Sequence, residues 1–433
     1  KGTFSCWFKL ADDNLTGGFL SHYFSSSYLF DICMQSGHIE VADYRTAYIL
    51  RKRTTAKYRD LNAWYHLYVA IDRSLATASD RCKIYVNGER VTDFQSSEDQ
   101  DYSQQTSGGH TGNISMNNNY TARVGVRYDG NKFDGSISHM HWVDGSVIDI
   151  SQFGSTDSTT GEWKINTSPT VADYGTNGFL ILKDGNTITD QSSGGSYDFS
   201  VGGGTLTKTE DCPSNVFATL NPLTNDGGGA KTYSLGNTKV AETANSWTSA
   251  HSTLGVTSGK WYFEAKVTYT NSNEAYVGAS AEEAITEHVN TTHYLGKTAN
   301  SVGFYTNNGS YYKGSGAVSW GNGVSSGDIV GCALDLDNNF IYFSKNGTWQ
   351  VSGDPTSGSS GTGGISLPSG MTTGDFKFFS VSPNESYLEC NFGNGYFGTT
   401  AVSSAGTNAS GIGIFEYDVP TGYTALSTKG LNE

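Results

Sequence analysis

The chain has 433 residues, enough for two or three domains that each bury a core. It is rich in Gly, Tyr and Phe, poor in Pro and Met and only 16% charged, and no window has the 3.6-residue rhythm of a long helix, so the composition predicts an all-β protein. The formal net charge of −15 argues against a nucleic-acid partner, which would need clustered Lys and Arg, and no stretch has the apolar length for membrane insertion.

The first half of the chain alternates strand-length segments with turns. Residues 3–10 form the first predicted strand. The segment Trp64–Asp72 is apolar at both odd and even positions, which predicts a strand buried on both faces. A strand at 83–86 then turns at Asn87-Gly88, the pair that type I′ hairpins favour. These features indicate a β-sandwich.

Three of these segments resemble laminin-G or concanavalin A-like domains of lectins and pentraxins. They are the Trp-x-His strand that begins at Trp64, the Tyr-Val-Asn-Gly hairpin at 85–88 and the Phe-Asp-Gly turn at Phe133. The resemblance implies an antiparallel jelly-roll-like sandwich, which we place at residues 1–200, followed by a connector at 201–222. Laminin-G relatives often bind calcium through loop carboxylates, a donor type that suits this hard cation. No motif selects particular ligands here, and the loop acids that could serve are Asp99, Asp101, Asp129 and Asp134.

A long polar segment at 95–120 contains almost no aliphatic residues and is predicted to be a surface loop, a common place for binding residues. It ends in Asn117, Asn118, Asn119 and Tyr120. Asparagine offers a donor and an acceptor, and tyrosine offers a flat apolar face for a sugar ring. Because the same residue types are common in ordinary turns, a purely structural role remains the alternative.

The second half of the chain is organised around a β-meander at Gly327–Gln350. Val330, Cys332 and Leu334 alternate with Gly331, Ala333 and Asp335, which predicts a strand with one buried and one solvent-facing side. A turn at 337–339 leads to a second strand at 340–344, which ends at Asn346-Gly347. Upstream, Gly259–Glu264 reads Gly-Lys-Trp-Tyr-Phe-Glu and opens a further alternating strand.

These two long blocks resemble the central signature and the opening strand of SPRY domains. The resemblance implies a second β-sandwich, which we place at 223–400, with a C-terminal tail at 401–433. In SPRY domains the partner surface is usually formed by loops at one edge. The loop at 307–312 combines amide and aromatic side chains, which makes Asn307, Asn308, Tyr311 and Tyr312 candidate ligand-binding residues. The resemblance to SPRY domains implies that Tyr311 and Tyr312 belong to this partner surface.

The residue patterns of catalysis and of transition-metal binding are missing or weak. Glycosidases of the concanavalin A-like class carry a Glu-x-Asp-x-x-Glu strand, and this chain has none; Asp335-x-Asp337 lacks the glutamates and is expected on the solvent side of a strand. His139 and His141 lie two residues apart, as zinc ligands can, but no third ligand is identifiable, so a structural histidine pair is favoured. The six cysteines are scattered, which favours free thiols.

The segments 174–179, 215–222 and 418–429, together with the SPRY block, are similar to tandem laminin-G plus SPRY proteins of marine tailed bacteriophages. This resemblance covers nearly the whole chain, and in such relatives polypeptide usually continues on both sides. It implies a virion protein, assembled in the bacterial host and then extracellular. We therefore expect a non-enzymatic surface protein, on a tail fibre or another exposed appendage, that binds host-surface glycan or protein.

Two alternatives to this function stay open. One is a structural decoration protein of capsid or tail that contacts other virion proteins and no receptor, and the other is a glycan-cleaving enzyme, which the missing carboxylate motif disfavours. Weak single sites gain avidity when several copies are linked, so a homo-oligomer, with a trimer favoured, is expected. No cofactor is implied beyond calcium.

Overall fold

A computed structural model describes residues 1–104, 121–183, 187–193, 197–204, 206–224, 231–287, 293–314 and 316–432. The chain divides into two compact units, Lys1–Lys208 and Thr209–Glu433. Strands dominate both units, which confirms the prediction of two all-β, jelly-roll-like sandwiches. The unit boundary lies inside the segment 201–222 that was assigned to a connector, and residues 401–432 pack within the second unit.

The first unit contains two six-stranded antiparallel sheets. Its strands are β1 (Gly2–Leu10), β2 (Gly17–Ser25), β3 (Tyr28–Gln35), β4 (His38–Arg45), β5 (Ala47–Thr54), β6 (Tyr65–Ile71), β7 (Cys82–Val86), β8 (Glu89–Arg90), β9 (Phe94–Gln100), β10 (Thr121–Val124), β11 (Gly135–Asp144), β12 (Gly154–Thr156), β13 (Trp163–Ile165) and β14 (Phe179–Ile181), with 3₁₀ turns at Ala78–Asp80 and Ile150–Gln152. Sheet A has the order β14-β11-β1-β6-β7-β8, and sheet B has the order β10-β2-β3-β4-β5-β9.

The core of the first unit contains side chains from the inner faces of sheets A and B, including Phe8, Phe30 and Trp142. A second apolar cluster, which includes Tyr68 and Phe153, contains residues of β6, β11 and β14 together with residues of the segment 150–174. Residues of β6 contribute to both clusters, which explains why the sequence of this strand is apolar at odd and even positions.

The second unit contains one large sheet and a small hairpin. Its strands are β15 (Thr232–Ser234), β16 (Lys239–Glu242), β17 (Ala250–His251), β18 (Lys260–Ala281), β19 (Ser301–Tyr305), β20 (Tyr311–Tyr312), β21 (Ala317–Val318), β22 (Ile329–Asp335), β23 (Phe340–Lys345), β24 (Thr348–Trp349), β25 (Ile365–Ser366), β26 (Lys377–Asn391), β27 (Tyr396–Phe397), β28 (Thr400–Ala401) and β29 (Thr424–Ala425). The helix α1 (Glu282–Glu287) follows β18, and 3₁₀ turns occur at Gln350–Ser352, Gly358–Ser360, Ser369–Met371 and Gly430–Asn432.

Two long strands, β18 and β26, run through both halves of this sheet. They pair antiparallel from Glu264 opposite Asn391 to Ala281 opposite Lys377, with an irregularity between Tyr269 and Glu274. The first part of β18 also pairs with β22, whereas the second part pairs with β19. Extra residues in one strand of a pair bend it, so the irregularity marks the corner where the sheet folds over its own core. The two predicted strands of the meander are confirmed as β22 and β23, which pair antiparallel.

The outer face of β18, β22 and β23 is covered by the C-terminal segment. Tyr262, Ala333 and Tyr342 pack there against residues 412–425, and β29 pairs in parallel with the start of β18. Asp335 is fully buried beneath this cover, with Lys260 Nζ 3.0 Å from its carboxylate. The expectation that β22 has a solvent-facing side is therefore wrong, because a distant part of the chain supplies a second apolar layer.

The cysteines behave as the sequence predicted. All six are free, and five of them are buried. In the described part of the chain, no helix combines the length and the apolarity needed to cross a membrane.

Candidate functional site

Five aromatic rings meet on the second unit, and we call them the aromatic patch: Trp247, Tyr276, Tyr294, Tyr305 and Tyr312. Strand registry explains three of them. Tyr276 on β18 lies opposite Tyr305 on β19. Strand β20 pairs with β19 on its other side and places Tyr312 opposite Gly303. Because the neighbours of Tyr276, Ala275 and Val277, point into the core, Tyr276 itself points to the other face of the sheet.

The patch is built around Tyr276. Its ring stacks on Tyr294 at 5.2 Å and on Tyr305 at 4.8 Å, and it meets Tyr312 edge-on at 5.3 Å. Trp247 lies 5.0 Å from the Tyr276 ring. Tyr276 is only 3% exposed, whereas the other four rings are half-buried. The central ring therefore holds its neighbours in place, while each neighbour keeps part of its surface in contact with solvent.

Polar groups at the edge of the patch fix the ring positions. The Tyr305 hydroxyl donates to Glu274 Oε1 at 2.7 Å, and the Asn384 amide donates to Glu274 Oε2 at 2.7 Å. Lys297 Nζ lies 5.9 Å from the centre of the Tyr294 ring. Burial raises the pKa of Tyr276 and, with Glu274 nearby, that of Tyr305 above the usual range, so both hydroxyls are neutral donors at physiological pH. The surface thus offers aromatic area next to hydrogen-bonding groups.

The sequence predicted part of this site. Tyr312 belongs to the aromatic patch, whereas Tyr311 packs against the core beside Trp320, as alternation along a strand requires. Asn307 and Asn308 are exposed, and Asn308 Oδ1 accepts the backbone N–H of Ser310, so it stabilises the turn. The other predicted loop residues, Asn117, Asn118, Asn119 and Tyr120, lie outside the described residues.

Sequence reasoning missed four patch residues. Tyr276 and Tyr305 lie on strands whose residues alternate between the core side and the outer side. An aromatic residue at an outer position of such a strand could have indicated a binding surface. Trp247 and Tyr294 lie in irregular segments with no periodicity, so only the folded structure brings them to the patch.

The four candidate calcium ligands are held by other contacts or stand apart. Asp99 and Asp101 both pair with Lys52, the latter at 2.8 Å. Asp129 lies 3.2 Å from an Arg127 guanidinium nitrogen, and Asp134 is an exposed residue just before β11. Within the described ranges, no group of three or more His, Cys, Asp or Glu residues is placed to hold a metal ion.

His66 in the first unit is buried between two tryptophans. Its ring stacks on Trp7 at 5.0 Å and on Trp163 at 5.8 Å, and burial lowers its pKa to about 3. The indole N–H of Trp163 donates to His66 Nδ1 at 2.9 Å. An indole can only donate, so the proton of the neutral ring is on Nε2 and points at Ser5 Oγ, 2.9 Å away. The pair therefore lacks the free imidazole lone pair that would activate Ser5 as a nucleophile.

The predicted histidine pair on β11 makes separate contacts. His141 is buried, and its Nδ1 lies 2.8 Å from the Tyr174 hydroxyl. His139 Nδ1 lies 2.7 Å from Ser138 Oγ, at a register shift between β1 and β11 where the His139 backbone has φ of 48°. These contacts fit the structural role that was favoured for the pair.

Comparisons with known proteins identify part of the second unit. Residues 260–357 match the family model of the SPRY domain. Ran-binding protein 9 of Xenopus tropicalis and that of Xenopus laevis are each 27% identical to this chain over 121 residues, which is 28% of the chain and 21% of each relative. The match thus spans about a fifth of the length of these relatives.

Solved structures of SPRY domains are also similar to the chain. The SPRY domain of human HERC1 shares 15% identity and covers 40% of this chain and 96% of its own, with a TM-score of 0.28. A human SPRY domain shares 18% identity and covers 35% of this chain and 89% of its own, with a TM-score of 0.26. The family match and the sequence signature place a SPRY domain at residues 260–357, and all of the aromatic patch except Trp247 lies within it.

Proposed function

We propose that this protein is a non-enzymatic surface protein of a tailed-bacteriophage virion, on a tail fibre or another exposed appendage, that binds a host-surface glycan or protein. The similarity to tandem laminin-G plus SPRY phage proteins supports the virion assignment and the laminin-G-like identity of the first unit. The aromatic patch supports a binding role, and it is the observation on which the proposal rests.

The chemistry of the patch favours a glycan as its ligand. Aromatic faces contact the C–H face of a sugar ring, and the tyrosine hydroxyls and the carboxylate of Glu274 can exchange hydrogen bonds with sugar hydroxyls. The buried amide of Asn384 holds the Glu274 carboxylate in position. Ring packing around Tyr276 holds these groups before a ligand arrives, which reduces the entropy lost on binding.

A binding role without bond cleavage fits the residues at hand. Glycoside hydrolysis uses two carboxyl groups that flank the scissile bond, and the strand motif that supplies them in concanavalin A-like enzymes is missing from the sequence. In the patch, both oxygens of Glu274 already accept hydrogen bonds from protein groups, which suits a residue that positions Tyr305.

The decisive experiment measures binding of the purified chain to host cells and to shed host envelope. Trp247→Ala removes a half-buried ring from the patch and is expected to weaken binding about tenfold or more. Phe376→Ala is the matched control, because it removes a ring that is 50% exposed on the same unit. Equal binding by the two variants would refute the patch as the site.

Two further outcomes separate the alternatives. A chain that binds neither cells nor envelope but is essential for particle integrity is a capsid or tail decoration protein. Release of reducing ends from host polysaccharide identifies a glycan-cleaving enzyme. Native mass spectrometry tests the expected homo-oligomer, with a trimer favoured, which would raise avidity. Imaging of the whole particle shows where the protein is located.

A further inference from the structure

The outer face of sheet B in the first unit carries a second, different set of binding groups. Cross-strand partners point to the same side of a sheet, so registry shows which residues share this face. One row contains Arg123, Ser21, Asp31, Ala42 and Arg51, in strand order β10 to β5. The row on one side contains Glu40 and Arg53, and the row on the other contains Tyr23, Tyr44 and Tyr48.

Ion pairs connect the charged residues of this face into one lattice. Glu40 lies 3.2 Å from Arg51 and 2.7 Å from Arg53, and Glu98 of β9 pairs with the same two arginines at 2.9 and 2.8 Å. Arg127 lies against the face from the loop after β10, 3.0 Å from Asp31 and 3.6 Å from Glu40. Asp31 and Glu40 are each only 1% exposed, so the lattice holds its guanidinium groups in fixed positions.

Tyrosine rings lie beside these guanidinium groups. Arg51 covers Tyr48 at 4.5 Å, Arg127 covers Tyr128 at 4.9 Å, and Arg123 lies 5.8 Å from Tyr23. Tyr23 and Tyr128 stack at 6.4 Å. Tyr23, Tyr48 and Tyr128 are half-buried and Arg123 is exposed, so part of each group reaches solvent.

The formal charges of this face cancel. Four guanidinium groups (Arg51, Arg53, Arg123 and Arg127) stand against four carboxylates (Asp31, Glu40, Glu98 and Asp129). A polyanion would meet a carboxylate beside each paired arginine, and a polycation would meet the arginines, so neither charge sign is attracted overall. A neutral ligand with many hydroxyl groups finds both donors and acceptors here.

We propose that the outer face of sheet B is a second binding surface, in the first unit, for a neutral hexose glycan. Vicinal hydroxyls bind the accessible guanidinium groups of Arg51 and Arg123 and the accessible carboxylate of Asp129, and a sugar ring packs on the tyrosines. The buried carboxylates of Asp31 and Glu40 hold the arginines in position. The face offers tyrosines and charged groups, while its Leu29, Cys33 and Ala42 are buried, so it lacks the exposed aliphatic anchors of a protein interface core. With the aromatic patch, one chain then carries two glycan sites, which extends the proposed function to avidity within a single polypeptide.

The test is affinity electrophoresis of the full chain in gels that contain dextran, laminarin or galactomannan, with dextran sulfate and diethylaminoethyl-dextran as charged counterparts. Retardation by at least one neutral polymer is expected, and it should not change between low and high salt. Tyr48→Ala and Arg123→Ala should each weaken it about tenfold, while Arg90→Ala, which removes an exposed arginine on the edge strand of sheet A, should leave it unchanged. Circular dichroism and thermal unfolding verify that each variant is folded.

The other outcomes overturn this inference. They are retardation by the charged polymers only, retardation by none, or equal retardation of the wild type and the two sheet B variants. Trp247→Ala keeps this result separate from the proposed function: if it alone removes all retardation, the aromatic patch stands as the site and the sheet B surface falls. If Tyr48→Ala and Arg123→Ala remove retardation and Trp247→Ala does not, the reverse holds.

Discussion

The carboxylate of Glu264 accepts a hydrogen bond from the backbone N–H of Tyr417, 2.9 Å away and 153 residues later in the chain. The backbone N–H of Glu416 binds the other oxygen at 2.9 Å, and the Tyr262 hydroxyl and the Asn391 amide also donate to this carboxylate. Glu264 is fully buried. A single side chain of β18 thus fixes the C-terminal segment on the outer face of the sheet.

This contact predicts a pH dependence of the second unit. Burial raises the pKa of Glu264 from 4.5 to about 7, although the backbone N–H donors favour its charged form. Because Glu264 binds its proton more tightly in the folded state than in the unfolded state, its contribution to stability is fully present below pH 4.5. This contribution is lost as the pH rises to about 7. The free energy of unfolding should therefore fall by up to about 3 kcal/mol over that range, measured by urea unfolding.

Glu264→Gln tests whether Glu264 is the cause. The amide nitrogen of glutamine cannot accept the hydrogen bonds that one oxygen of Glu264 accepts. The free energy of unfolding of the variant at low pH should therefore be about 1–3 kcal/mol lower than that of the wild type. It should also lose the decline between pH 4.5 and 7. An unchanged decline would assign the pH dependence to another group.

The first unit should show the opposite trend through His66. Burial lowers the pKa of His66 from 6.5 to about 3, so the neutral ring contributes to the stability of the first unit above pH 6.5. This contribution is lost as the pH falls towards 3, and the free energy of unfolding should decrease by up to about 5 kcal/mol. His66→Gln, which can still accept from Trp163 and donate to Ser5, should unfold with a shallower dependence on acid. Asp31, whose pKa burial raises to about 6, acts in the other direction but is present in both proteins. Equal acid sensitivity of the two proteins would exclude His66.

Arg127 is predicted to be essential for the stability of the first unit. Arg127→Leu leaves the nearly buried carboxylates of Asp31 and Glu40 without this cation, and such a loss typically costs about 3–5 kcal/mol. Arg90→Ala breaks an exposed pair with Asp80 and should cost less than about 1 kcal/mol. Chemical unfolding of both variants gives the comparison, and similar losses would contradict the difference in burial.

Val351 is predicted to be a site where substitution stabilises the protein. Its backbone has φ of 54° and ψ of 35°, a left-handed conformation that is costly for a β-branched residue, and the side chain is 50% exposed. Val351→Gly should raise the free energy of unfolding by about 1 kcal/mol, since the strain it removes exceeds the entropy that glycine adds to the unfolded chain. Val318→Gly, at a 42% exposed position of β21, should be destabilising. A loss of stability in both variants would show that the strain at Val351 is small.

Local patterns in the sequence predicted much of the fold. Alternation located β18, β22 and β23, and the Asn-Gly pair located the turn after β23, where Asn346 has φ of 47° and Gly347 has φ of 77°. These features depend on neighbouring residues only, and therefore a pattern of a few residues contains them.

The rest depended on contacts between distant segments. Asp335 was expected to face solvent because alternation describes one strand and not the layer that covers it, which residues 412–425 provide. In the aromatic patch, Trp247 and Tyr294 come from irregular segments, so no periodicity links them to Tyr276. For sheet B, Glu40 of β4 and Glu98 of β9 both pair with Arg51 and Arg53 of β5. These acids and arginines lie on three strands, so no local sequence pattern indicates that they form one set of ion pairs.

The covering of β18 by residues 412–425 has a consequence for biosynthesis. A ribosome that has translated the chain only as far as β28 holds a nascent sandwich whose outer face, with Tyr262 and Tyr342, is still uncovered. Such apolar surface is open to chaperones and to neighbouring nascent chains until residues 412–425 emerge from the exit tunnel. Closure of this face of the second unit therefore waits until residues 412–425 have left the ribosome.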